Sequence, residues 1–121
     1  MGSKSYRDLL VWQKGISLCT QVYKICETFP KTELYGLSDQ MKRSAVSIPS
    51  NIAEGQGRQH PGEFLHFISI ANGSLAELDT QRIIAENLNF ISHEKSTNLD
   101  NSITEVRKML YALTQQLKTK N

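Results

Sequence analysis

The sequence predicts an all-α protein, an up-down-up-down antiparallel four-helix bundle made by a single domain over residues 1–121. Apolar residues recur at steps of three and four along four long stretches, which is the period of an amphipathic helix. Glycine and proline are concentrated between those stretches, and no stretch alternates long enough to form a strand. The boundary signals place the helices at about residues 6–28, 38–56, 61–89 and 92–118. Short connections between them favour antiparallel neighbours.

The first two helices follow from their apolar spacing and their boundary residues. The first ends before Pro30, which cannot continue a helix. Its expected core face contains Leu9, Trp12, Ile16, Cys19, Tyr23, Cys26 and Phe29. The second is expected to open at Ser38 as N-cap, with Asp39 favourable in the first turn. Its expected core face contains Met41, Ala45, Ile48 and Ile52.

Pro49 lies inside the second helical stretch, where it removes a backbone donor and clashes with the carbonyl of Ala45. Apolar spacing continues on both sides of it, which predicts a kink at Pro49 and not a stop. Gly55 and Gly57 are then expected to supply the positive φ used at helix C-termini. A phosphate-binding loop would need a preceding strand and a Gly-Lys-Ser/Thr, so this segment is interpreted as a turn.

The third helix is expected to start at Pro61, a residue suited to the first helical position. Its core face contains Phe64, Phe67 or Ile68, Ala71, Leu75 and Leu78. Ser92 is the expected N-cap of the fourth helix. That helix has the most regular heptad of the chain, made by Leu99, Ile103, Val106, Leu110, Leu113 and Leu117.

Composition and motifs exclude several classes of protein. No apolar run approaches the roughly 20 residues of a membrane span, and no signal-peptide pattern opens the chain, so we expect a cytoplasmic protein without a membrane partner. Cys19 and Cys26 lie two helical turns apart, too far for a disulfide. Glu63 and His66 form one Glu-x-x-His, whereas a di-metal bundle needs two. We therefore expect no enzymatic activity, catalytic residue, metal or cofactor.

Topology predicts a basic end of the bundle. The N-terminus, the turn between the second and third helices and the C-terminus should meet there. Basic side chains at this end outnumber the two acidic ones, Asp8 and Glu63, and give a net charge of +3 where the whole chain has +2. With His60 they form the candidate nucleic-acid-binding residues, which are Lys4, Arg7, Arg58, His60, Lys118 and Lys120. Solubilising residues on frayed termini would look the same in the sequence.

The segments SIPSNIAEGQGR and FLHFISIANGSLAELDTQ resemble a bacterial family of small four-helix-bundle proteins encoded within intervening sequences of 23S rRNA genes. LLVWQKGISLCTQVYKICETFP and LYGLSDQMKRSAVSIPSNIAEG also match that family's signatures. Gly15 and Asn72 depart from its pattern, and Asn72 removes one possible basic contact. The residues that carry the signature are Ser47, Pro49, Asn51, Glu54, Gly55, Gly57 and Arg58. Most of them are expected to be structural, with Asn51 and Glu54 satisfying backbone groups that the kink frees.

The resemblance implies a homopentameric ring. A more distant relative, the accessory variability determinant of diversity-generating retroelements, is a basic pentamer that binds nucleic acid and a reverse transcriptase. Five basic ends would then sum to about +15 on one face. The resemblance and the charge together predict a non-enzymatic, oligomeric protein that contacts RNA or DNA phosphates.

The alternative is a protein-interaction scaffold, for example for a reverse transcriptase, without a physiological contact to nucleic acid. Apolar residues off the main stripes are compatible with either broad core faces or subunit interfaces. These residues are Leu10, Val46, Ile70 and Ile84.

Overall fold

A computed structural model describes residues 5–33 and 36–119. Every regular element of these residues is helical, in agreement with the predicted all-α class. The four long helices are α1 (Leu10–Cys26), α2 (Leu37–Gly57), α3 (Pro61–Asn87) and α4 (His93–Lys118). Two short 3₁₀ helices, Tyr6–Asp8 and Lys31–Glu33, precede α1 and α2. No helix in the described ranges has the combined length and apolarity of a membrane span.

The helices are antiparallel and form a ring of four seams: α1 with α2, α2 with α3, α3 with α4, and α4 with α1. In the α2–α3 seam, Ser47 meets Ser74, whereas the later Gly55 meets the earlier Phe64. Numbering therefore rises along one helix as it falls along the other. Across the described part of the chain, no Cα atoms of the diagonal pairs α1–α3 and α2–α4 lie within 8 Å of each other, because the core side chains fill the space between them. This is the predicted four-helix bundle.

The predicted core faces of the last three helices are confirmed. The predicted residues of α2 are fully buried, as are Ala71, Leu75 and Leu78 of α3. In α4 the heptad is buried except for the half-buried Leu113. α2 and α4 each have one dominant apolar arc, whereas α3 also carries exposed isoleucines on its outer side.

The predicted core face of α1 is wrong by one residue over most of its length, although Cys26 and Phe29 are buried as predicted. Ile16 and Tyr23 are 41% and 44% exposed, and Leu9, Trp12 and Cys19 are half-buried. The buried face is instead Val11, Gly15, Leu18, Val22 and Ile25, with Cys26 at its edge. Both sets have helical spacing, and a one-residue shift rotates a helix by about 100°. Gly15 belongs to the inner set and packs against Pro49 of α2.

Pro49 lies buried within α2, and the helix continues through it to Gly57. The expectation that the proline would not stop the helix is therefore confirmed. A Cβ placed on Gly15 would be 3.4 Å from the Cβ of Pro49. The buried proline ring thus faces α1 and forms part of the α1–α2 seam.

Two predictions about the boundaries of α2 are wrong. Gly36 occupies the N-cap position, and Ser38 is already inside the helix and buried. At the other end, the glycines have negative φ, and the residue in the left-handed region is Gln59, with φ of 58°. The helix runs one residue further than predicted, to Gly57, and the left-handed residue follows Arg58.

The caps of α3 and α4 agree better with the sequence. Pro61 is the first residue of α3, as predicted. Asn89, with φ of 62°, ends that helix in the left-handed conformation. The hydroxyl of Ser92 accepts a hydrogen bond from Lys95 N at 3.1 Å, which confirms it as the N-cap of α4.

Candidate nucleic-acid interface

The antiparallel order places the 3₁₀ helix before α1, the α2–α3 turn and the end of α4 at the same end of the bundle. This brings together four of the six candidate residues, Arg7, Arg58, His60 and Lys118. Lys4 and Lys120 lie outside the described residues. We call the four described residues the basic end. The four side chains differ in their interactions with the rest of the protein.

Arg7 is exposed to solvent and contacts neighbouring residues of the 3₁₀ helix and the start of α1. The hydroxyl of Ser5 accepts a hydrogen bond from Arg7 N at 3.1 Å, which starts the 3₁₀ helix. The Arg7 guanidinium carbon lies 6.0 Å from the centre of the Tyr6 ring, and that ring packs edge-on against Trp12 at 5.2 Å. No ion pair involves Arg7 within the described ranges, so its charge is available to an anion.

Arg58 is engaged on both sides. Its Nη2 lies 3.0 Å from Glu54 Oε2, one turn earlier on α2, and its Nη1 lies 3.8 Å from Glu63 Oε1 at the start of α3. The guanidinium carbon is also 5.1 Å from the centre of the Phe67 ring. A phosphate would have to displace two carboxylates from it. Arg58 therefore links the end of α2 to the start of α3. This role was not assigned to it in the sequence analysis.

His60 is the N-cap of α3. Its Nδ1 accepts hydrogen bonds from Gly62 N at 3.1 Å and Glu63 N at 3.4 Å. An accepting Nδ1 carries no proton, so the proton of the neutral ring is on Nε2. His60 thus contributes a hydrogen-bond donor to the basic end and no charge.

Lys118 is the last residue of α4, and its side chain is exposed. Its ammonium group has no carboxylate partner in the residues that the structure describes. The helix C-terminus is also where a cation is electrostatically favourable. Arg7 and Lys118 are therefore the two charged candidates that a phosphate can reach without breaking an ion pair.

The signature residues of α2 form a polar seam with α3. The Ser47 hydroxyl accepts hydrogen bonds from Asn51 Nδ2 at 2.9 Å and from the Ser74 hydroxyl at 2.8 Å. Asn51 Nδ2 also donates to the Ser47 carbonyl at 2.7 Å. Asn51 thus donates to a backbone carbonyl, but not to one that Pro49 frees, since the carbonyl without its helical donor is that of Ala45. Glu54 is bound to Arg58 instead of to the backbone.

Gly55 is required by close packing. A Cβ at this position would be 2.8 Å from both Phe64 Cδ1 and Phe67 Cβ, which is closer than any real contact. Gly57 has nothing within 4 Å of such a Cβ. Of the two signature glycines, only Gly55 therefore sets the distance between α2 and α3.

The opposite end of the bundle contains an ionic cluster that the sequence analysis missed. Arg82 of α3 is only 12% exposed and lies 2.9 Å from Asp79, 3.7 Å from Asp100 and 4.0 Å from Glu86. Its Nη1 also donates to the buried Ser96 hydroxyl at 2.8 Å. The i, i+3 and i, i+4 spacing of Asp79, Arg82 and Glu86 was the available signal.

Glu86 belongs to the same cluster and also pairs with His93 at 2.7 Å. Hydrogen bonds from Ser96 and His93 hold the pKa of the Glu86 carboxyl below its usual value. The arrangement ties the end of α3 to the start of α4. We interpret it as structural, because every group in it has a partner within the cluster.

Glu63, His66 and the two cysteines are residues that the sequence analysis considered as possible ligands of a metal. No group of three or more His, Cys, Asp or Glu side chains in those ranges is placed to hold a metal ion. Glu63 lies against Arg58, and the His66 ring packs against Phe67 at 5.3 Å. Cys19 and Cys26 are free thiols, and burial raises the pKa of each, which disfavours the reactive thiolate.

Comparison with known proteins identifies a family and a solved structure of similar fold. The family model for the 23S rRNA-intervening sequence protein matches residues 7–112. A crystal structure from Bacteroides thetaiotaomicron VPI-5482, described as a protein with unknown function from the S23 ribosomal protein family, superposes with a TM-score of 0.81. It is 22% identical and covers 87% of this chain and 98% of its own, which supports the fold. No curated protein matches the chain.

Proposed function

This chain belongs to the family of 23S rRNA-intervening sequence proteins, and from that premise we propose that it acts by binding nucleic acid and not by catalysis. The ligand is the phosphate backbone of RNA or DNA, and the contact surface is the basic end. The single observation that carries the proposal is the pair Arg7 and Lys118, two exposed cations at one end of the bundle whose charges no carboxylate neutralises in the described structure.

The basic end fits a phosphate better than it fits a base. Arg7, Lys118 and the Nε2 proton of His60 are donors without a shaped pocket around them, and such groups position a backbone but do not read sequence. The aromatic residues of this end are used within the protein: Trp12 packs against Tyr6, and Phe64 is buried. We therefore expect binding that tolerates any sequence and depends steeply on salt.

Assembly of several subunits would increase the number of phosphate contacts. One subunit offers few phosphate contacts, and an exposed surface charge is screened within about 8 Å at physiological salt. A homopentameric ring, which the family resemblance implies, would place five basic ends on one face. We propose that this oligomer, working in the cytoplasm, is the binding species.

The test is binding of a labelled structured RNA and a labelled duplex DNA, measured by fluorescence anisotropy between about 50 and 200 mM salt. The variant is Arg7→Glu with Lys118→Glu. We expect at least a tenfold loss of affinity, roughly what removing two phosphate contacts costs, and a shallower slope of log affinity against log salt. A second variant, Arg58→Ala, should lose less, because Glu54 and Glu63 already occupy that guanidinium.

The matched control is Lys31→Glu with Lys108→Glu, which changes the net charge equally at exposed positions away from the basic end. Equal losses in the variant and the control would contradict a localised interface. Absence of binding by the unaltered protein at about 100 mM salt would contradict the proposal itself.

The second candidate function, a protein-interaction scaffold, is favoured by one observation: Leu10, Val46, Ile70 and Ile84 are 40–58% exposed and so do not belong to the core. Exposed aliphatic side chains of this number suit contacts with protein. The salt series separates the two functions, since a scaffold that does not bind nucleic acid would leave both probes free.

A further inference from the structure

The outer surface of α3 has an almost uncharged stripe. Five exposed residues follow each other at steps of three and four and define the α3 stripe: Ile70, Gly73, Glu77, Thr80 and Ile84. Ile70 and Ile84 are 40% and 43% exposed, and Glu77 is the one charge of the stripe. The outward face of a helix in water is normally rich in charge. A face of this composition is typical of one that is covered by protein.

Gly73 lies in the middle of this stripe without a reason inside the subunit. A Cβ at this position would meet nothing within 4 Å, and φ of Gly73 is not positive. A glycine inside a helix costs about 0.5–1 kcal/mol relative to alanine. The benefit of a missing side chain on an open surface is the close approach of another backbone.

A groove of about 520 Å³ lies between α1 and α4. Ile16 and Ile25 supply its apolar part, and Lys24 of α1 and Lys95 of α4 stand at one end. Neither lysine has an ion-pair partner among residues 5–33 and 36–119. The residues that complete the lining are Ser17, Thr20, Gln21 and Asn98. Beyond the groove, Lys14 and Glu105 close the α1–α4 seam with an ion pair of 3.4 Å.

The stripe and the groove are complementary in charge and in spacing. Glu77 stands seven residues from Ile70 and from Ile84, about 10.5 Å along the helix at 1.5 Å per residue. Ile16 and Lys24 of the groove are eight residues, or about 12 Å, apart. An isoleucine of the stripe can therefore lie on Ile16 while the Glu77 carboxylate reaches Lys24 or Lys95.

From this match we infer that the α3 stripe of one copy docks into the α1–α4 groove of a second copy. The mode is a helix laid in a groove between two others. The two surfaces are different, so the contact is head-to-tail and each added copy presents a free stripe and a free groove until a ring closes. The inference rests on the oligomeric part of the proposed function and names the surfaces that form it.

A charge exchange tests the pairing. Molar mass is measured by light scattering over a concentration series without nucleic acid, for Glu77→Lys, for Lys24→Glu with Lys95→Glu, and for all three substitutions in one chain. We expect each of the first two to raise the dissociation constant of the assembly at least tenfold, about the effect of opposing like charges at an interface. The triple variant should recover most of the loss, because its charges are again opposite.

The matched controls are Glu94→Lys and the pair Lys31→Glu with Lys108→Glu, which are exposed positions outside the stripe and the groove. Circular dichroism of every variant checks that the bundle is folded. A monomeric unaltered protein, masses unchanged by the first two variants, or a triple variant as weak as its parents would each overturn the inference. A ring that forms this way but binds neither RNA nor DNA would leave the inference standing and remove the proposed function.

Discussion

The two connections of α3 use the same ionic chemistry in different surroundings. At its start, Arg58 pairs with Glu54 and Glu63 while its side chain remains 47% exposed. Near its end, Arg82 meets three carboxylates and a buried hydroxyl, with 12% of its side chain exposed. Water screens both partners in the first cluster, whereas in the second it reaches the carboxylates, which are 30–46% exposed, but hardly the guanidinium.

The contrast separates a structural site from a site that can exchange partners. Removing one member of a buried ionic cluster leaves the others uncompensated, whereas exposed partners are simply hydrated. Burial, and not the number of carboxylates near an arginine, therefore decides how much of the fold depends on it. The basic end lies at the exposed connection, where an incoming phosphate can compete with Glu54 and Glu63.

The largest effect is expected at Arg82. Replacing it by methionine keeps much of the length but leaves Asp79, Asp100 and the Ser96 hydroxyl without their donor. We expect the free energy of unfolding to fall by about 3–5 kcal/mol in urea titrations. The control is Arg107→Met, an exposed arginine of α4, which should change stability by about 0.5 kcal/mol or less. If Arg82→Met lowered the free energy of unfolding no more than Arg107→Met, burial of the arginine would not explain a difference between the two clusters.

An intermediate effect is expected at Gly55, which carries the packing of the exposed connection. Alanine there would place its Cβ 2.8 Å from Phe67 Cβ, an atom bound directly to the α3 backbone, so the helices must separate. We expect a loss of about 1–3 kcal/mol by thermal and urea unfolding.

Gly57→Ala is the paired control for that substitution. Its Cβ meets nothing within 4 Å, and its φ is not positive, so we expect it to be neutral or to stabilise by about 0.4–1 kcal/mol. Equal responses at the two glycines would show that helix propensity, and not the α2–α3 distance, governs this turn.

The smallest effect on stability is expected at Arg58. Its ion pairs are about half exposed, so Arg58→Ala should cost about 1 kcal/mol or less in the same urea assay. High salt should reduce the difference between variant and parent further. If Arg58→Ala lowered the free energy of unfolding as much as the Arg82 variant, the exposure of an ion pair would not explain its contribution to stability.

The sequence predicted the bundle and the inner faces of α2, α3 and α4, because apolar residues recur along each at helical spacing. It left open whether Ile70 and Ile84 belong to the core or to an interface, and both are exposed. It misplaced α1, where Val11, Gly15, Leu18 and Val22 have the same 4, 3, 4 spacing as Trp12, Ile16, Cys19 and Tyr23. It assigned the turn to glycines when Gln59 takes the left-handed conformation.

The candidate site was predicted less completely than the fold. Topology predicted that Arg7, Arg58, His60 and Lys118 lie at one end. It did not predict the two carboxylates that pair with Arg58 or the capping role of His60. The α1–α4 groove had no signal in the sequence, because its residues come from two helices whose rotation and separation are unknown beforehand.

What the sequence determined by itself is local: where helices begin and end to within a turn, and which apolar arcs exist on each. What only the tertiary structure decided is which of two arcs on α1 faces inward, which charges meet, and where a groove remains open. The physical reason is that helix period is a property of neighbouring residues, whereas rotation is set by close approaches such as Gly15 on Pro49 and Gly55 on Phe64. Those contacts join residues far apart in the chain, and no spacing along it encodes them.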